Sequence, residues 1–251
     1  MDEEAVRKAA GLLAKAQRTG VLLERLPEGC HPATIAEAHA IQDAVVALLG
    51  QPVAGWKVAL AGDGSVMRGV MLQSRVWESP ARVPASLVPL LGVEAEIAFR
   101  FERDLPPRPA PYAREEIEAA VTAMAAIEIV ASRFASYRDT PLLDRAADFV
   151  SNGGFVCGTL QPRWREHELA TLEVTLAIGG ETVVSRRGGH PAGDPLLPAI
   201  ALVDELRQGA GVKSGQIMTT GTYTGLNFAK PGQSVTASFS GFGGAEVHFG
   251  A

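Results

Sequence analysis

A ten-residue run of alternating side chains, Gly92-Val-Glu-Ala-Glu-Ile-Ala-Phe-Arg-Phe101, constrains the fold of this chain most strongly. Because successive side chains of a β-strand point to opposite faces, the run predicts a strand with one apolar face. That face carries Val93, Ala95, Ile97, Phe99 and Phe101. Glu94 and Glu96 share the other face, two residues apart. Two carboxylates so placed repel each other unless a positive charge lies between them.

A third glutamate follows in a second apolar run, Ala126-Ile-Glu-Ile-Val-Ala-Ser-Arg133. If Glu128 converges with Glu94 and Glu96, the three carboxylates suit a hard divalent cation, Mg²⁺ or Mn²⁺, with coordination positions left for a substrate. A Glu-x-Glu pattern is also typical of a solvated strand face. Spacing alone therefore leaves both interpretations open.

The composition argues against several classes of protein. The chain has 251 residues and a net charge of −5, so it lacks the basic surface expected of a nucleic-acid-binding protein. No run approaches the ~18 apolar residues that span a membrane, and the acidic N-terminal segment is unlike a signal peptide. Cys30 and Cys157 lack metal or redox spacing. These features predict a cytoplasmic protein with two free thiols.

The order of predicted elements indicates the fold class. Two helices come first, and the second begins at the capping box Thr34-Ile-Ala-Glu37 and ends near Gly50. Strands dominate after Pro52, with a further helix expected over residues 114–124. Because the strands do not alternate regularly with helices, we expect an α+β fold with a mostly β core. We expect an N-terminal helical region over residues 1–52 and a β-rich catalytic domain over residues 53–251.

Lys57 interrupts an apolar strand in Gly55-Trp-Lys-Val-Ala-Leu60. A lysine in this position is either a charge on an edge strand or a buried base with a lowered pKa. The five histidines show no metal-ligand spacing, and His190 before a proline indicates a turn residue. A Gly-x-Ser-x-Gly elbow is absent from the sequence, which argues against a serine hydrolase.

Seven short motifs, taken in order, resemble the 2-keto-4-pentenoate hydratase and 4-oxalocrotonate decarboxylase branch of the fumarylacetoacetate hydrolase superfamily. The motifs are Gly55-Trp-Lys57, Val93-Glu-Ala-Glu-Ile97, Ala126-Ile-Glu-Ile-Val-Ala-Ser-Arg133, Ala147-Asp-Phe-Val-Ser-Asn-Gly-Gly-Phe155, Gly221-Thr-Tyr-Thr-Gly-Leu226, Lys230-Pro-Gly232 and Ser240-Gly-Phe-Gly-Gly244. The resemblance covers nearly the whole chain. The number and order of the motifs make it more specific than any one of them.

The resemblance implies a fold and a set of site residues. The fold is a mixed β-sandwich roll with a small N-terminal helical region. The resemblance implies that Glu94, Glu96 and Glu128 hold Mg²⁺ or Mn²⁺ and that Lys57 is a catalytic residue near the substrate. It also implies that Ser151, Asn152 and Thr222 bind the substrate, with Thr222 in the loop that helps to hold the substrate carboxylate.

The implied function is that of a metal-dependent lyase acting on a small 2-oxo acid or 2-hydroxydienoate through a metal-stabilised enolate. The most specific expectation is hydration of a 2-hydroxypenta-2,4-dienoate-like compound. Decarboxylation of an unsaturated 2-oxo diacid and hydrolysis of an acylpyruvate are alternatives on the same scaffold. A further alternative is a non-catalytic 2-oxo-acid-binding or partner subunit. The resemblance also implies a homo-oligomer and allows a complex with a related decarboxylase.

The chain departs from the hydratase pattern between Lys57 and Glu94. Hydratases of this branch usually carry an acid in a Pro-Asp-aromatic-Gly segment, which residues 61–75 lack. Ala131 also stands where an Asp usually precedes Ser-Arg. The candidates to replace the missing acid are Asp63, Arg68, Arg75 and a bound water. We therefore expect residues 61–75 to determine which reaction the chain performs.

Overall fold

The computed structural model describes residues 1–60 and 64–251, so Asp63 lies outside the described residues. These residues form five α-helices: α1 Glu3–Thr19, α2 Ile35–Leu49, α3 Arg114–Glu118, α4 Leu142–Ala147 and α5 Leu196–Leu206. The predicted start of α2 is confirmed, because the Thr34 hydroxyl accepts a hydrogen bond from the Glu37 N–H. Gly50, in the left-handed conformation, ends this helix. No described helix has the length and apolar character needed to cross a membrane.

The described residues also form thirteen strands. They are β1 Val53–Leu60, β2 Val66–Leu72, β3 Val76–Glu78, β4 Ala81–Pro84, β5 Gly92–Phe101, β6 Val121–Val130, β7 Asn152–Gln161, β8 Glu173–Ile178, β9 Glu181–Arg187, β10 Ile217–Thr222, β11 Asn227–Phe228, β12 Ser234–Phe239 and β13 Gly243–Gly250. Strands dominate the chain after residue 52, and helices and strands are not regularly interleaved. The predicted α+β class is confirmed.

Two mixed sheets contain these strands. The larger has the order β2-β1-β10-β5-β6-β7-β3, with β11 pairing beside β5, and the smaller has the order β4-β13-β12-β8-β9. Strands β12 and β13 pack against β6, and β13 also packs against β7. The two sheets therefore enclose a common core, as expected for sheets that pack face to face.

The alternation in β5 separates the two faces of the larger sheet. The apolar side chains from Val93 to Phe101 belong to the main core. On the opposite face, Met71 of β2 and Phe155 of β7 belong to one small buried cluster, and β2 contacts β7 although four strands separate them in the sheet order. The larger sheet therefore curls around that face, which also carries Glu94 and Glu96.

The helix expected over residues 114–124 is only partly correct. Helix α3 ends at Glu118, and β6 begins at Val121. Ten consecutive register pairs join β6 to β5, from Val121 beside Phe101 to Val130 beside Gly92. This pairing overrides the local helical preference of the segment.

Cys30 and Cys157 are both buried and free, as predicted.

The N-terminal helices are tied to the β-rich part of the chain. Gln42 of α2 donates hydrogen bonds to the carbonyls of Arg68 and Ala146, and its Oε1 accepts one from the Val70 N–H. Helix α2 ends and β1 begins close to residue 52. The division into residues 1–52 and 53–251 stays a prediction.

Candidate metal centre

Strand register brings the three predicted glutamates together. Glu94 of β5 lies directly opposite Glu128 of β6 in the antiparallel pair, and Glu96 lies opposite Ala126. A carboxylate oxygen from each glutamate lies within 4.8 Å of the others. The expectation that these side chains converge is met by their geometry.

Glu128 is completely buried and only partly satisfied. Its Oε1 lies 2.8 Å from Lys57 Nζ and accepts a hydrogen bond of 3.1 Å from Asn152 Nδ2. Its Oε2 has no hydrogen-bond partner among the described residues. Since a buried carboxylate oxygen without a partner is costly, this atom fits a group that binds to it, such as a cation.

Glu96 is held from the adjacent strand β10. The Thr219 hydroxyl donates to Glu96 Oε2, and the Gly221 N–H reaches the same oxygen at 3.4 Å. The register between β10 and β5 shifts between Thr219 and Thr222. This irregularity turns the Gly221 amide toward the cluster, as bulges beside functional sites commonly do.

The electrostatics of the cluster favour a divalent cation. Burial, against the opposing effect of Lys57, raises the pKa of Glu94 to about 7, and Glu128 adds to the rise. Burial and the neighbouring charges of Glu128 and Glu94 raise the pKa of Glu96 to about 8. Three ionised carboxylates and one ammonium carry two net negative charges, which one Mg²⁺ or Mn²⁺ balances. The oxygen-only donor set also suits these hard ions.

The structure supports neither interpretation that the sequence context of Lys57 left open, a charge on an edge strand or a buried base with a lowered pKa. Strand β1 lies between β2 and β10, so Lys57 is not on an edge strand, and its side chain is 14% exposed. Burial acts to lower its pKa, but the negative charges of Glu128, Glu94 and Glu96 outweigh burial and raise the pKa above its usual value. The expectation of a lowered pKa is therefore wrong for the chain as it stands.

The remaining predicted residues lie at different distances from the glutamates. Asn152 contacts Glu128 directly. The neighbouring Ser151 hydroxyl is buried and has no hydrogen-bond partner in residues 1–60 and 64–251. Thr222 lies opposite Glu96 in the register, and its hydroxyl accepts a hydrogen bond from the Thr224 N–H. These positions are compatible with substrate binding, which stays a prediction for all three.

Two of the candidate substitutes for the missing acid have partners elsewhere. Arg68 pairs with Asp43 of α2 and Glu205 of α5. Arg75 donates to the Leu87 carbonyl.

Sequence reasoning missed Thr219, because one threonine in a β-rich run carries no distinguishing signal.

Comparison with known proteins identifies a matching family and two relatives of similar length. The family described as "Fumarylacetoacetate (FAA) hydrolase C-terminal" matches residues 50–249. The chain is 29% identical over 260 aligned positions to a 2-keto-4-pentenoate hydratase of Paraburkholderia phymatum, covering 99% of this chain and 98% of the relative. It is 28% identical, with the same coverage, to a 2-keto-4-pentenoate hydratase of Burkholderia vietnamiensis.

A solved structure shares the fold over its full length. The 4-oxalocrotonate decarboxylase from Pseudomonas putida G7, in its complex with magnesium and adipate, matches with a TM-score of 0.83. The match covers 99% of this chain and 98% of that chain at 20% identity. The expected roll with a helical N-terminal region is therefore the observed fold.

We expect Glu96→Gln to weaken Mg²⁺ binding at least about tenfold, or about 1.4 kcal/mol, because a neutral amide loses the charge attraction. Isothermal titration calorimetry measures the affinity, and circular dichroism verifies the fold. Glu246→Gln is the matched control, since Glu246 is an exposed glutamate on β13. Equal Mg²⁺ affinity in wild type and Glu96→Gln would show that Glu96 is not a ligand.

The raised pKa values of Glu94 and Glu96 predict how stability depends on pH. Between their ordinary pKa of 4.5 and about 8, these two carboxyls bind more protons in the folded chain without a cation than in the unfolded chain. Their contribution to stability therefore falls as pH rises through this window. Because Mg²⁺ competes with these protons, we expect Mg²⁺ to raise the melting temperature more near pH 8 than near pH 6. An equal rise at both pH values, in differential scanning fluorimetry, would contradict this linkage.

Proposed function

The chain belongs to the fumarylacetoacetate hydrolase family, and from that premise we propose that it is a metal-dependent lyase acting on a small 2-oxo acid or 2-hydroxydienoate, most like a 2-keto-4-pentenoate hydratase. Its full-length relatives are enzymes named for that reaction. The observation that carries the proposal is the convergence of three carboxylates and Lys57 in one buried cluster.

We propose Glu94, Glu96 and Glu128 as the ligands of Mg²⁺ or Mn²⁺. The unpartnered Oε2 of Glu128 and the excess negative charge of the cluster support this assignment. A divalent cation held there would supply Lewis-acid stabilisation for the negative charge that enolisation places on the C2 oxygen of a 2-oxo acid. The magnesium in the related decarboxylase structure is consistent with the choice of ion.

The other side chains of the site would then position the glutamates, bind the substrate and transfer a proton. Thr219 and the Gly221 amide fix Glu96, while Asn152 fixes Glu128, so the donor set is preorganised before a substrate arrives. Lys57 places its ammonium beside Glu128, and we assign it to hold the substrate or to move a proton at a substrate carbon. We assign the loop of Thr222 to the substrate carboxylate. The Ser151 hydroxyl, which has no hydrogen-bond partner among the described residues, is assigned to substrate binding.

Lys57→Met tests the catalytic assignment. Methionine preserves much of the length of the side chain but removes its charge and its proton, so we expect turnover to fall by about 10²-fold or more. Loss of the pair with Glu128 also destabilises the fold, so unfolding is measured alongside turnover with Mg²⁺ present. Lys213→Met, at a surface position, is the matched control. Wild-type turnover in Lys57→Met would remove this residue from the mechanism.

A substrate panel tests the reaction itself. Mg²⁺-loaded protein is supplied with 2-hydroxypenta-2,4-dienoate, an unsaturated 2-oxo diacid and an acylpyruvate, and the products are identified by mass spectrometry. We expect hydration of the dienoate, but at a lower rate than turnover of another enolisable 2-oxo acid, because residues 61–75 lack the usual acid. Efficient hydration would show that this acid is dispensable. Turnover of only the diacid or only the acylpyruvate would indicate a decarboxylase or a hydrolase, and binding without turnover a non-catalytic subunit.

Three predictions about the setting of this reaction remain. The sequence features predict a cytoplasmic location, and the resemblance predicts a homo-oligomer and allows a complex with a related decarboxylase.

A further inference from the structure

A short turn beside the cluster has an unusual backbone. Phe149, Val150 and Ser151 have φ angles of 55°, 51° and 58°, so three consecutive residues other than glycine lie in the left-handed region. The left-handed conformation is sterically unfavourable for residues other than glycine, and especially for a β-branched residue such as Val150. A turn of this kind persists only when its surroundings hold it.

Arg133 and Asp148 hold both ends of this turn. The Arg133 guanidinium donates to the Asp148 carboxylate and carbonyl before the turn, and to the Asn152 carbonyl, 2.7 Å away, after it. The Arg133 N–H and the Ser132 hydroxyl donate to the other Asp148 oxygen, each at 2.9 Å. Arg133 and Asp148 are buried, with 6% and 2% of their surfaces exposed. These contacts act as a clamp across the turn.

The clamped turn lies close to two members of the candidate metal centre. The Asn152 side chain, immediately after the turn, donates to Glu128. The Phe149 carbonyl lies against Gly69, where an added Cβ would come within 2.2 Å of the carbonyl oxygen and within 2.9 Å of Lys57 Cγ. Gly69 therefore leaves the space in which the Phe149 carbonyl and the Lys57 stem lie together. A relaxed turn would disturb the positions of both Asn152 and Lys57.

We infer that Arg133 and Asp148 are positioning residues, which keep the turn of residues 149–151 left-handed so that Asn152 is directed at Glu128 and the Phe149 carbonyl packs beside Lys57. The inference rests on the proposed function. It adds a pair that touches none of the three glutamates yet controls how well they bind a cation. Partners of metal ligands typically affect metal affinity by about 10- to 100-fold.

The test measures Mg²⁺ affinity of the folded protein by calorimetry rather than activity. We expect Arg133→Met to weaken Mg²⁺ binding about tenfold or more, while Arg163→Met, at an exposed arginine, leaves it unchanged. If Arg133→Met does not fold, Arg133→Lys and Asp148→Asn provide milder losses of the same clamp. Unchanged Mg²⁺ affinity in a folded clamp variant would overturn the inference.

A second substitution separates positioning from general destabilisation. Glycine adopts the left-handed conformation without the steric cost that valine has, so adding Val150→Gly to the clamp variant should restore several-fold of the lost affinity. A clamp that only stabilised the fold would show no such rescue of affinity in protein already folded, and this outcome would count against positioning. If wild-type protein itself bound no divalent cation, the proposed metal centre would fail, and the inference with it. If wild type and clamp variants bound Mg²⁺ equally, only the inference would fail.

Discussion

Repulsion among three buried carboxylates is the constraint on which the rest of this site depends. Glu94, Glu96 and Glu128 lie within a few ångströms of one another on the enclosed face of a curled sheet. Burial makes each charge more expensive and also strengthens their mutual repulsion. The chain reduces this cost only in part, with the ammonium of Lys57 and hydrogen bonds from Thr219 and Asn152. Residual charge of this kind suits a bound cation and is not favoured for stability alone.

The sheet topology explains why these side chains come from distant parts of the sequence. Strand β1 supplies Lys57, β10 supplies Thr219, and β5 and β6 supply the glutamates, and these four strands are consecutive in the sheet. Lys57 and Thr219 are register partners in the parallel pair of β1 and β10. A shift of one residue in any of these strands would turn its polar side chain toward the apolar core. The apolar face of β5 therefore fixes the register that assembles the site.

Much of this could be predicted from sequence, and the exceptions have physical causes. Alternation placed Glu94 and Glu96 on one face. Glu128 and Lys57 stood out as charged residues within apolar runs, and the motif resemblance added Asn152. Residues 119–124 were wrongly expected to be helical, since pairing of β6 with β5 is a tertiary effect that local propensity does not contain. The left-handed turn was also beyond prediction, because Phe149, Val150 and Ser151 are not residues that favour that conformation. The turn depends on Arg133, which lies sixteen residues before Phe149 in the sequence.

Unfavourable electrostatics and unfavourable backbone conformation occur side by side in this structure. The glutamate cluster raises carboxyl pKa values, and the adjacent turn holds three residues in a strained region. The glutamates lie on β5 and β6, and the turn leads directly into β7. These three strands are extensively paired in the larger sheet. Strain of this kind is lost wherever the surroundings permit relaxation, so its persistence requires the buried pair of Arg133 and Asp148. The stability of the paired strands thus supports a local arrangement that is costly in itself but leaves Glu128 with one oxygen that no described residue contacts through a hydrogen bond, so that it is open to a ligand.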